Sequence, residues 1–166
     1  MVQFTINTHR FDPYKAFKFR LKWEGRYVAG ISKVSALKTS TEPIKFREGN
    51  DPKIQRLMPG HQSYEAVTLE RGVTHDTEFE DWAKLVYSTD GDSSISLKNF
   101  RHDVTIEFMN EAGQIAKVYN LFDCWVSEYT ALPELDANST NVAIESMVLQ
   151  NTGWARDLSV TEPTET

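Results

Sequence analysis

A strand that runs directly into a helix sets the first constraint on this chain: Thr68-Leu-Glu-Arg-Gly-Val-Thr-His-Asp-Thr-Glu-Phe-Glu-Asp-Trp82. From just upstream, Tyr64, Ala66, Thr68 and Glu70 alternate with Glu65, Val67, Leu69 and Arg71. The two sets differ only partly in polarity, the pattern of a strand covered on both faces. Gly72 lets the chain leave the strand at a backbone angle closed to other residues. Thr77 then has the position and chemistry of an N-cap, with Glu80 three residues on to complete a capping box. Asp76, Glu78, Glu80 and Asp81 crowd the helix end whose dipole favours negative charge. Phe79, Trp82, Ala83 and Val86 recur at i, i+3, i+4 and i+7. That apolar stripe predicts a helix over Glu78 to Ser88, docked on the body of the protein through Phe79, Trp82 and Val86.

Period-two patterning dominates the rest. Phe17, Phe19, Leu21 and Trp23 alternate with Lys18, Arg20 and Lys22, a strand with one apolar and one basic face. Glu24-Gly25 breaks it and Tyr27 to Ile31 resumes, a hairpin. A further strand covers Lys33 to Phe46, weakened toward Pro43. Arg47 to Ser63, which holds Gly49, Pro52, Pro59 and Gly60, reads as a long irregular segment. Val104 to Phe108 and Ile115 to Phe122 form a second hairpin, whose second strand continues through Trp125 to Tyr129, and Val142 to Leu149 closes the fold. Many strands, two hairpins and one helix describe a mainly β protein, a β-sandwich or barrel with one flanking α-helix.

With 166 residues the chain suffices for one domain, expected over residues 1–156. The polar, acidic tail 157–166 is expected to be disordered. A net charge of −6 argues against free-standing nucleic-acid binding, although a whole-chain figure leaves room for a basic local face. The basic set Lys15, Lys18, Arg20 and Lys22 is read as a solvated face, or as a surface toward an acidic neighbour. The single cysteine, Cys124, rules out an intrachain disulfide and reads as a small buried hydrophobe. No basic head followed by an apolar run opens the sequence, and no apolar run reaches the roughly twenty residues that span a bilayer. The expectation is therefore a chain made in the cytosol, with no membrane anchor.

Chemistry is sparse. The glycines match neither the dinucleotide nor the Walker spacing. Asp90, Asp92 and Ser94 lack the glycine and the acidic twelfth residue of a calcium loop and read as a plain turn. His75 and Asp76 beside Glu78 read as a solvated helix start, because no second His or Cys lies at ligand spacing. His9, His61 and His102 read as polar surface. No nucleophile, base and oxyanion hole can be assembled, so neither catalytic residues, metal nor cofactor are expected. The aromatics Phe17, Phe19, Trp23, Phe79, Trp82, Phe108, Tyr119, Phe122, Trp125 and Tyr129 sit at core-like spacing.

The strand-to-helix segment from Thr68 to Trp82 resembles that of phage tail tube proteins, the subunits shared by contractile phage tails and phage-tail-like contractile injection systems. Asp12-Pro-Tyr-Lys-Ala-Phe-Lys-Phe-Arg-Leu-Lys-Trp-Glu-Gly25 resembles the family's first strand and hairpin. Gly30-Ile-Ser-Lys-Val-Ser-Ala-Leu37 is similar to its second strand, and Leu135 to Leu149 to its closing strand and preceding loop. The likeness implies six copies per ring, each giving strands to one lumen-lining barrel, with rings stacked into a hollow tube. It implies as partners a contractile sheath protein, a baseplate and spike, tube-terminating proteins, and a cargo protein or DNA in the lumen. Assembly would take place in the bacterial cytoplasm, and the product would be a released phage-tail-like particle or a virion. Arg71-Gly-Val-Thr-His-Asp-Thr-Glu-Phe79 and the Phe17-Lys-Phe-Arg opening look closest to injection-system subunits.

Two further readings stand beside this one: a phage tail tube passing DNA, and a small stand-alone β-barrel that binds a ligand. Within the resemblance, Arg47 to Ser63 is expected to carry contacts between stacked rings. Ile54, Leu57 and Met58 would form an apolar patch buried against a neighbour, with Arg47, Lys53 and Arg56 at its polar rim. The alternative is an arm folded over its own barrel.

Overall fold

The computed structural model describes residues 13–47, 49, 53–86 and 98–164. Among them the chain forms β1 (Phe19–Trp23), β2 (Arg26–Val28), β3 (Ile31–Val34), β4 (Thr39–Phe46), β5 (Arg56–Tyr64) and β6 (Val67–Gly72). Then come α1 (Glu78–Val86), β7 (His102–Met109), β8 (Ile115–Thr130), β9 (Ile144–Gln150) and β10 (Gly153–Arg156). One antiparallel sheet runs in the order β2-β1-β7-β8-β9-β6-β3, with β10 paired to β8 as well, while β4 and β5 pair only with each other.

The long strand β8 joins the two halves. Its first part pairs with β7 and β10, and its last part with β9. Between them Asp123 takes a left-handed backbone angle, φ 50°, and the β7 register slips between His102 and Val104. The Asp103 carboxylate accepts the Asp123 N–H at 3.0 Å and holds this bend, which turns one half of the sheet against the other. One contiguous core joins Leu21, Trp23, Val104 and Leu121 from the first half to Val67, Leu69, Met147 and Leu149 from the second. Cys124 is fully buried there, and burial together with the Asp103 charge pushes its thiol up to about 12. Among the described residues no ladder pairs β2 with β3, the two ends of the sheet, which the chain joins through Ala29 and Gly30.

Sequence patterning located the strands but blurred their limits. The expected strand from Tyr64 to Arg71 begins later, at Val67: Tyr64 still ends β5, and the Glu65 N–H bonds Lys38 O at 3.0 Å in continuation of the β4–β5 register. Lys33 to Phe46 is divided, into β3 and β4. Phe17 and Phe122, assigned by spacing to the core, are exposed: Phe17 precedes β1, and Phe122 follows the inward-facing Leu121. His102 is packed rather than surface, with its ring 5.0 Å from Trp82 and Nδ1 at 3.1 Å from Glu24. The segment 157–164, expected to be disordered, runs along the sheet: Asp157 N–H bonds Val118 O at 2.9 Å, and Tyr14 donates to Glu162 at 3.1 Å. The turn at Asp90 to Ser94, the helix beyond Val86, and His9 lie outside the described residues.

Candidate assembly surface

Inward positions of β6 and β9 pair as Val67 with Leu149, Leu69 with Met147, and Arg71 with Glu145. The first two pairs are apolar and the third is a charge pair placed in the same row. Arg71 and Glu145 are both almost wholly buried, and Arg71 Nε donates to Glu145 Oε1. The Glu145 carboxylate also accepts the Tyr129 hydroxyl at 3.0 Å. Burial, and next the hydrogen bond to that carboxylate, push the Tyr129 phenol up to about 12.

The remaining guanidinium donors reach the turn before the helix. Nη2 donates to Asp76 O at 2.7 Å, Nη1 meets Asp76 Oδ2 at 3.2 Å, and the guanidinium lies 4.1 Å over the Phe79 ring. Arg71 thus ties strand, turn and helix together. Sequence reasoning missed this role, although parity could have shown it, since Arg71 falls on the Val67 and Leu69 face.

Helix capping differs from the expected box. The Glu78 N–H is capped by Asp76 Oδ1 at 3.0 Å, the Thr77 hydroxyl donates to Asp81 Oδ2 at 2.9 Å, and Glu80 pairs with Lys84 at 2.8 Å. Asp76 wins the cap because its backbone is already fixed by Arg71. Of the three expected docking residues, Phe79 and Trp82 are buried and Val86 is half-buried. Trp82 lies 4.9 Å from the Trp23 ring and donates its indole N–H to Phe100 O at 2.9 Å.

The segment read as an irregular loop from Arg47 to Ser63 is corrected by the structure: Arg56 to Ser63 belongs to β5 and pairs with β4 in a two-stranded ribbon. Two features hid it. Pro43 faces Pro59 where the register shifts, and each strand of a two-stranded ribbon is an edge on which a missing N–H is tolerated. Gly60 is required there, because a Cβ would lie 2.8 Å from Glu42 O and 2.9 Å from Ile44 side-chain carbons.

From Ser40 to Ser63 the described ribbon residues are exposed apart from Gly60, so the ribbon stands clear of the body. Ile44 pairs with Met58 and Phe46 with Arg56 on one face, and Lys45 with Leu57 on the other. Ile54, Leu57 and Met58 are exposed, with Arg47, Lys53 and Arg56 beside them.

The basic strand is less solvated than expected. Arg20 pairs at 3.0 Å with Glu107, which is buried and also accepts the Tyr27 hydroxyl at 3.2 Å. Among the described residues no three His, Cys, Asp or Glu side chains gather as a metal site. A groove of about 520 Å³ between α1 and β8 is lined by Ala83, Val86, Trp125 and Tyr129. Glu80 and Lys84 pair with each other at its helix side, and Ser127 and Glu128 complete the lining.

A projecting ribbon with Ile44, Phe46, Leu57 and Met58 exposed is a surface of the kind that proteins bury on association. The model of the T4-like virus tail tube protein gp19 family matches residues 15–155, and the chain belongs to that family. Among solved structures, a chain of the PVC extracellular contractile injection system sheath–tube complex is 25% identical, with a TM-score of 0.71, over 87% of this chain and 91% of that one. A chain of the PVC sheath/tube terminator is 25% identical, with a TM-score of 0.73, over 89% and 98%. A chain of the anti-feeding prophage tube-terminating cap shares the fold at 21% identity, with a TM-score of 0.74, over 95% and 99%. No curated protein matches the sequence.

Proposed function

We propose that the chain is the inner tube subunit of a contractile, phage-tail-like injection particle, acting by assembly and not by catalysis. Residues 1–156 form its single tube domain. Six copies would join as a ring, and rings would stack into a hollow tube inside a contractile sheath. Baseplate, spike and terminating proteins would sit at its ends, and cargo in its lumen. The observation that carries this reading is the family match over residues 15–155. The ends of the sheet, the short β2 and β3, are joined through Ala29 and Gly30 and so meet on one side of the subunit, while β4 and β5 pair only with each other and leave ribbon edges that a neighbouring copy can cover. Family membership and the likeness to PVC chains over most of their length support it.

A bacteriophage tail tube passing DNA is the second reading, favoured by the viral namesake of the family. Sheath, baseplate and ATPase genes beside toxin genes would mark an injection system; capsid and terminase genes would mark a phage. Electron microscopy and sedimentation of the purified protein and of the parent particle test the common core. Six-fold rings or tubes are expected. A homogeneous monomer at every concentration, with none of the protein in particles, would overturn the proposal.

A further inference from the structure

We propose that Tyr64, Gly153 and Trp154 form a releasable latch that sets the angle at which the β4–β5 ribbon leaves the body. The latch rests on the tube reading only for its purpose, since an assembling copy needs that angle fixed; its geometry belongs to the single subunit. The two ribbon strands pair only with each other, so their ladder does not decide where they point. Side chains at the root must do so. Tyr64 closes β5 opposite Thr39, the first residue of β4. Its ring meets Trp154 of β10 edge to face, with centroids 6.2 Å apart at 78°. Trp154 meets Tyr119 of β8 in the same way, at 5.9 Å and 75°. In the register Trp154 lies opposite Leu121, and Tyr119, two residues earlier, shares that face. The rings therefore run from the root of the ribbon to the core, against which Trp154 packs.

Gly153 makes the seat. Its φ is +155°, and a Cβ there would lie 3.3 Å from Tyr64 Cε2 and 3.4 Å from Tyr64 Cζ. Without that side chain the Tyr64 ring rests on bare backbone. A second tie lies beside it, where Asn151 Nδ2 donates to Glu65 O at 3.2 Å. Unmet polar chemistry makes the latch releasable. The Trp154 indole N–H and Asn151 Oδ1 are both buried, and neither has a hydrogen-bond partner among the described residues. Buried polar atoms without partners count against the seated state, and lifting Tyr64 returns them to water. Trp82 is the contrast within the same chain, because its indole N–H is bonded to Phe100 O at 2.9 Å. Ring contacts hold the seat, and the two orphan atoms keep that hold weak.

Two measurements on dispersed, unassembled subunits test the latch. Spin labels at Leu57→Cys on the ribbon and Lys84→Cys on α1 report the ribbon angle, with Cys124 buried and unlabelled. One narrow distance distribution is expected from this parent. Adding Tyr64→Ala should at least double its width, whereas Tyr64→Phe, which keeps the ring, should leave it narrow. A broad distribution in the parent, or a narrow one in Tyr64→Ala, would overturn the latch. In hydrogen exchange followed by NMR, the indole proton of Trp154 should exchange at least tenfold faster than that of Trp82. Equal protection of the two would show that the seat does not release. Neither measurement depends on assembly, so a failed latch leaves the tube reading intact, and a lack of rings and tubes by microscopy removes only the latch's purpose.

Discussion

Arg71 and Glu145, 74 residues apart in sequence, are register partners on the inward faces of β6 and β9, and their charges meet in the core. Each makes the other's burial tolerable, and neither has another counter-charge of its own depth. Removing one partner strands the other without water. Arg71→Met is therefore expected to cost about 3–5 kcal/mol, a fall in Tm of about 6 °C or more for a domain of this size. Arg71→Met with Glu145→Met should recover most of that loss in the same melt. A single variant that melts like wild type would show that the pair is incidental to stability.

Alkaline titration should reveal the neighbouring phenol. The folded-state value of Tyr129 is raised from an ordinary 10.0 to about 12, so the folded chain holds that proton more tightly than the unfolded one. Its contribution is complete below pH 10 and is lost as pH rises toward 12. Tyr129→Phe removes both the hydrogen bond to Glu145 and this titration. Denaturant midpoints for wild type and Tyr129→Phe should differ at pH 8 and converge between pH 10 and 12; a constant gap would contradict the linkage.

Cys124 follows the same sign. Its thiol is raised from 9.0 to about 12, so the folded protein keeps it protonated and out of reach. A thiol reagent at pH 8 should label it only in denaturant. Rapid labelling of native protein would mean that the bend in β8 opens readily.

Trp82→Asp would place an unpaired carboxylate between Trp23 and His102, at a cost of several kcal/mol. Circular dichroism and melting should show loss of the fold, not merely of assembly. A normally folded Trp82→Asp protein would show that α1 contributes little to the core.

Ribbon variants should behave in the opposite way. Replacing Ile54, Leu57 and Met58 with Ser alters exposed side chains, so the subunit should stay folded while tubes are short or absent by electron microscopy. Gly60→Val should give the same outcome by a different route, because its Cβ collides with Glu42 O. Full-length tubes from the triple variant would show that the ribbon serves its own subunit.

Local periodicity alone determined the strand followed by a helix, the hairpin from Val104 to Phe122, and the helix stripe of Phe79 and Trp82, whereas Gly72 stays in β6 opposite Ile144 without the left-handed angle expected of it. Each signal needs only neighbouring residues, so each is written in sequence. The motifs from Asp12 to Leu149 also carried the family. Tertiary structure decided the rest. Whether Arg71 ends a strand or joins a core depends on a partner supplied 74 positions later. The ribbon was hidden because Pro43 and Pro59 break strand patterning separately and make sense only when paired across a register shift. Lastly, the seating of Tyr64 against Trp154 follows from the pairing of β4 with β5 and of β10 with β8. Local propensity does not encode strand order, which is fixed by long-range pairing and burial of one shared core.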